Sequence, residues 1–251
     1  MRIGLLGDVH GNYDIFYGML LHMVENQKIS VAFQVGDFGL SEAVLKHKEI
    51  FDLPVPLYII DGNHEDFRFL TMFLLSGLRE KWVSHNLYYQ PRGSTANIQG
   101  IKTGFIGGAL HVDQPQQRKK GNVITNDEVN SALKEFNENS PQIVVSHSCP
   151  AGIGIGMLGH PSHTRGVVEY ITMAGYDPGP SCDYGETQLT SLWERMEKRP
   201  KLWIYGHFHQ FQSRKIEDTL FICLPRIDFF HQYVVWDTET EETILSYYYL
   251  L

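Results

Sequence analysis

The sequence predicts an α/β fold, and two patterns predict it. Short apolar runs of β-type alternate with segments of helical period over the first part of the chain. Three of those runs stop at Gly beside Asp, Asn or His: Gly7-Asp8, Gly36-Asp37 and Gly62-Asn63-His64. In open α/β sheets ligands bind outside the C-terminal ends of the strands, which is where these side chains fall.

The first run, Arg2 to Gly7, reads as a buried strand that ends at Asp8-Val9-His10. Residues two apart on an extended segment point to one side, so Asp8 and His10 can reach a common point. Apolar residues at Ile15, Met19, Met23 and at Phe16, Leu20, Val24 step by four, which predicts a helix over Tyr13 to Gln27. Ser30 to Val35 is a second strand ending at Gly36-Asp37, Ser41 to Phe51 a short helix, and Val55 to Ile60 a third strand ending at Asp61-Gly62-Asn63-His64. Asn86 to Gln90, Ala96 to Gln99 and Lys102 to Ile106 read as short strands, with a tight turn at Gln99-Gly100. Thr125-Asn126-Asp127-Glu128 is a capping box that opens a helix with Val129, Leu133 and Phe136 on one face. Gln142 to Ser146 is a strand ending at His147, and Leu202 to Tyr205 is one ending at Gly206-His207-Phe208-His209. A helix with Leu189, Leu192, Trp193 and Met196 precedes that last strand, and strand-like runs follow at 219–223, 233–236 and 243–249. Neither a repeat nor a linker divides the chain, which points to a single domain over residues 1–251. The Gly-, Pro- and Ser-rich stretch from about 149 to 185 reads as a long loop, a candidate lid.

Hydrophobic residues make up 43% and charged residues 20%, so the chain is globular rather than disordered. A net charge of −8 argues against a broad nucleic-acid or anionic-membrane footprint, though not against a small phosphate ester. Three widely spaced cysteines without a CxxC predict no disulfide framework and a reducing, cytoplasmic setting. No apolar run is long enough to span a membrane.

Five strand ends therefore carry ligand-type residues: Asp8 and His10, Asp37, Asn63 and His64, His147, and His207 with His209. A single buried histidine is usually a hydrogen-bonded core residue, but five such sites in register are poorly explained that way. Carboxylate and imidazole donors suit first-row divalent metals. So many donors exceed one tetrahedral ion and suit two ions about 3.5–4 Å apart that share a carboxylate.

The series DxH (Asp8, His10), GD (Gly36, Asp37), GNH (Gly62, Asn63, His64), lone His147 and GHxH (Gly206, His207, His209) resembles the calcineurin-like metallophosphoesterases, and it spans most of the chain. The resemblance implies a four-layer αββα sandwich, two mixed β-sheets flanked by helices, and a metal-dependent phosphoesterase, more a phosphodiesterase than a protein phosphatase. It implies one metal held by Asp8, His10 and His209, a second held by Asn63, His147 and His207, and Asp37 bridging them. Manganese is favoured, with Fe, Zn or Ni also compatible. A hydroxide bridging the metals would attack phosphorus, and His64 would act as general acid on the leaving group. One departure stands out: many members carry a second Asp three residues after the bridging Asp to orient the GNH histidine, and here that residue is Leu40. Asp61, Glu65 or Asp66 would have to take over that task.

GDFG, DGNHED, GGALHVD and SHSCPAG look like a group of small bacterial and phage phosphoesterases. GNHE and SHxxP are also similar to lariat-debranching enzymes, which act on 2′,5′-phosphodiesters. A nuclease acting on short or branched nucleic acid is thus an alternative, and a non-catalytic binding module of the same fold is another. Arg165 is a candidate phosphate clamp beside Asn63 and His64. His111, His160 and His163 read as loop residues. Tyr233, Trp236 and Tyr247 to Tyr249 read as core or a homodimer contact.

Overall fold

The computed structural model describes residues 1–47, 52–76, 85–110, 121–155 and 183–248. Among the described residues, twelve strands form two six-stranded sheets. The first sheet starts from β1 (Arg2–Leu6), β2 (Val31–Gln34), β3 (Leu57–Ile59) and β4 (Leu87–Tyr89), all parallel. It continues on the other side of β1 through β11 (Gln232–Asp237) and β12 (Thr243–Tyr247), both antiparallel to their inner neighbour. The second sheet runs β5 (Ser94–Ile98), β6 (Ile101–Ile106), β7 (Ile143–Ser146), β8 (Leu202–Tyr205), β10 (Thr219–Cys223) and β9 (Gln212–Ile216). Its middle four strands are parallel and its two edges antiparallel.

Strand alternation builds three apolar layers. Ile3 and Leu5 of β1 meet Phe105, Val145 and Ile204 of the opposite sheet in the layer between the sheets. Leu6 faces the other way, onto Phe16, Met19 and Leu20 of α1 (Tyr13–His22) and Phe69 and Phe73 of α2 (Phe67–Leu75). On the far side, Val144 and Trp203 pack with Phe136 of α3 (Asn126–Asn139) and Leu189 and Trp193 of α4 (Thr187–Arg195). This is the expected αββα order. Tyr233 and Trp236 are buried, as core residues.

The expected helix over Tyr13 to Gln27 is α1 extended by one π-type turn, Met23–Gln27. The capping box at Thr125 and Glu128 is present with both of its hydrogen bonds. Ser41 caps only a 3₁₀ turn, Glu42–Lys46, where a longer helix was expected; residues 48–51 lie outside the described residues. Helix α2 was not anticipated. Asp66 caps it by accepting from Arg68 and Phe69 N–H, and Phe69, Leu70 and Phe73 form its buried face within a nearly continuous apolar sequence. His111, His160, His163, Arg165 and Cys182, together with most of the proposed lid, lie outside the described residues. Among the described residues, no helix is long and apolar enough to cross a membrane.

Candidate metal centre

The C-terminal ends of β1, β2, β3, β7 and β8 converge at one rim of the sandwich. Asp8 and Asp37 are both buried there. On one side, His209 Nε2 lies 3.1 Å from Asp8 Oδ2, and His10 Nε2 lies 3.2 Å from His209 Nε2. On the other, His147 Nε2 lies 3.0 Å from Asn63 Oδ1, and its ring packs edge-on against that of His207 at 5.1 Å. Asp37 Oδ2 stands between the two groups, 3.8 Å from His10 Nε2 and 3.4 Å from His147 Nε2. The exposed His64 ring is 5.4 Å from that of His10, and its backbone N–H donates to Asp37 Oδ1 at 2.8 Å.

The loops hold costly backbone. His10, Asp37, His207 and His209 all have positive φ, between 49° and 67°, although none is glycine. Such strain persists where surrounding contacts over-determine it, and it clusters at functional sites. Here Val9 and His10 N–H donate to Asp37 O, and His207 N–H donates to Asp8 carboxylate oxygens at 3.2 Å. Two glycines have steric reasons. A Cβ on Gly62 would lie 2.1 Å from Asp37 Oδ1, and one on Gly206 would lie 2.0 Å from Asp8 Oδ1.

The donor set fits divalent cations. Asp8, His10 and His209 offer ligand atoms within 4.8 Å of one another, and so do Asp8, Asp37 and His147. His207 Nε2 is buried without a hydrogen-bond partner among the described residues. His10 and His209 nitrogens face each other at a distance where they can share only one proton.

Asp37 and His207 hold their metal-ligating protonation states, whereas His147 has a proton to lose. Burial would raise the Asp37 carboxyl, but the neighbouring His147 overrides it and holds the group well below the usual carboxylate range. Burial likewise works against a charged His147, yet Asp37 and Asp8 lift it to about 10. For His207, burial and then the His147 charge push the ring down to about 3, so it stays neutral with a free lone pair.

The carboxylates considered for orienting His64 are engaged by other groups. Glu65 accepts from Phe38, Gly39 and Leu40 N–H at 2.9, 3.1 and 2.5 Å and so ties down the loop after Asp37. Burial, reinforced by the Asp37 charge, raises Glu65 to about 8. Asp61 accepts from Tyr89 Oη at 2.9 Å and from Arg92 Nε and Nη2 at 2.9 and 2.7 Å. Asp66 caps α2, and buried Leu40 fills the position of the family's second Asp.

Two features escaped the sequence. Arg92 also donates to Val123 O and Glu128, linking β3's end to the start of α3. At α5 (Ile227–Phe230), Arg226 lies 4.6 Å over the Phe229 ring, which is 6.0 Å from the His209 ring. After burial and the charge of its histidine neighbour, the Arg226 charge is a further influence lowering His10, so its field reaches the centre. Neither Arg stands in a motif. Open grooves of about 280 and 510 Å³ flank His64; Tyr13 and Ser41 line the first, Phe67 and Arg68 the second.

Fold and donor set together are those of an αββα sandwich with a candidate metal centre at its strand ends. A family model for calcineurin-like phosphoesterases matches residues 1–211, and the chain belongs to this family. It is 25% identical over 243 residues to a lariat debranching enzyme of Schizosaccharomyces pombe, an alignment covering 83% of this chain and 48% of that one. The chain thus spans about half the length of that relative. Its fold resembles TT1561 of Thermus thermophilus (TM-score 0.63, 10% identity, 98% of each chain). It also resembles a dimetal phosphatase from Danio rerio (TM-score 0.55, 12% identity, 94% of this chain and 91% of that one).

Proposed function

We propose that the chain is a phosphodiesterase with a two-metal site, in which Asp8, His10 and His209 hold one cation, Asn63, His147 and His207 the other, and Asp37 both. The position of Asp37 Oδ2 between His10 and His147 carries this reading. Bound divalent cations supply charge to offset that developing on the phosphoryl group and lower the pKa of water near them. The chain's own residues do the rest. Left-handed backbone and the Glu65 clamp fix the ligands before substrate arrives, which limits reorganisation during reaction. His64, exposed beside the grooves, gives a ring N–H proton to the departing oxygen. The test is hydrolysis of bis-p-nitrophenyl phosphate with added Mn²⁺. Fully loaded protein inert toward this diester and toward p-nitrophenyl phosphate overturns the reading.

A second reading makes the ester a short or branched nucleic acid, and the similarity to a lariat debranching enzyme over 83% of the chain favours it. Preferential cleavage of a 2′,5′-linked over a 3′,5′-linked oligonucleotide, weakening as salt rises, supports that reading. Equal, salt-insensitive turnover of both counts against it. The net charge of −8 disfavours long polyanions in either case.

A further inference from the structure

We propose that Phe229 is a stacking platform for an aromatic base carried by the substrate, which makes a nucleotide-type phosphate ester the substrate class; this rests on the phosphoesterase reading of the site. Five large hydrophobic residues are exposed among the described residues. Met72, Leu74 and Leu75 lie on α2 and Tyr247 at the end of β12. Phe229, 58% exposed, is the one whose ring meets a candidate metal ligand, with its centroid 6.0 Å from that of His209 at an interplanar angle of 83°.

One face of the ring is covered. The Arg226 guanidinium covers it at 4.6 Å, a cation–π contact, and Arg226 is itself fixed by Nε and Nη2 bonds to Asp228 at 2.6 and 2.8 Å. Asn12 Nδ2 donates to the same Asp228 carboxylate and to Val9 O, and Ile227 N–H donates to Asp8 O. The platform is thereby tied at two points to the loop that carries Asp8 and His10. A preorganised aromatic ring beside a phosphate-binding centre loses little freedom on stacking, and any nucleobase offers the complementary π-face. A sugar phosphate or a lipid headgroup offers none.

The test is equilibrium binding by calorimetry of adenosine 5′-monophosphate and ribose 5-phosphate to the full chain loaded with Mn²⁺. It is run on the native protein, Phe229→Ala and Phe229→Trp, with circular dichroism to confirm folding. The native protein is expected to bind the nucleotide roughly tenfold tighter than the sugar phosphate. Phe229→Ala is expected to erase that difference by weakening the nucleotide alone, and Phe229→Trp to keep it. Equal affinities in the native protein, or a loss in Phe229→Ala shared by both ligands, overturns the platform while leaving the phosphoesterase intact. Protein that binds neither ligand and leaves bis-p-nitrophenyl phosphate untouched overturns both.

Discussion

His147 Nε2 lies 3.4 Å from Asp37 Oδ2, joining the end of β7 in one sheet to the end of β2 in the other. The same ring places Nδ1 2.7 Å from Val35 O, so its two nitrogens bridge the sandwich. With Nδ1–H donated to the carbonyl, Nε2 is the atom left for a metal, and in chelator-stripped protein it holds a proton beside Asp37.

On the proposed ligand set, metal loading is coupled to proton release. Against burial, the Asp37 and Asp8 charges push His147 up to about 10 from its ordinary 6.5, so on the proposed ligand set a proton competes with metal throughout the neutral range. Apparent affinity should rise about tenfold per pH unit from pH 7 toward 9, as read by competition with a chelator of known pH dependence. The same shift has a sign for stripped-protein stability. The stabilising His147–Asp37 pair is fully present below pH 6.5 and lost as pH climbs through about 10. An affinity flat across pH 7–9 counts against His147 as a ligand.

Gly62→Ala should keep the fold and lose the site. The added methyl falls 2.1 Å from Asp37 Oδ1, so the carboxylate or the loop has to move. A shift of about 1 Å costs roughly a hundredfold in turnover. Circular dichroism near native with diesterase activity down by about that factor is expected; full activity means Asp37 need not stand where it does.

His64→Ala separates proton donation from metal holding. Metal content should be unchanged, and kcat on an alkyl diester should fall by about 10²–10⁴. The fall on bis-p-nitrophenyl phosphate should be far smaller, because p-nitrophenolate departs without a proton. Equal losses on both substrates, or lost metal, contradict the general-acid role.

Arg92→Met tests the frame beneath the GNH loop. Asp61 is 1% exposed and its partner Arg92 10%, so the substitution strands a buried carboxylate. The expected cost in urea denaturation is about 3–5 kcal/mol. A cost under about 1 kcal/mol means that other groups hold Asp61.

Much of this was legible because chemistry and fold coincide at strand ends. Asp8, Asp37, Asn63, His147, His207 and His209 each follow an apolar run, and the glycines at 62 and 206 mark where a carboxylate presses on the backbone. The left-handed turns at His10, Asp37, His207 and His209 were not legible, since non-glycine residues give no local sign of positive φ. Nor were pairs distant in sequence: Arg92 with Asp61, or Phe229 with His209, meet only once the sheets are stacked. Helix α2 hid because Met72, Leu74 and Leu75 stay exposed, so apolar residues lie on its solvent side as well as on the buried face of Phe69, Leu70 and Phe73.

Metal analysis by mass spectrometry on freshly loaded, desalted protein, native and Asp37→Asn side by side, tests the two-metal site most directly. About two divalent ions per native chain and fewer than about one in folded Asp37→Asn are expected. Native protein that retains only trace metal, or an Asp37→Asn variant that retains as much as the native chain, contradicts it.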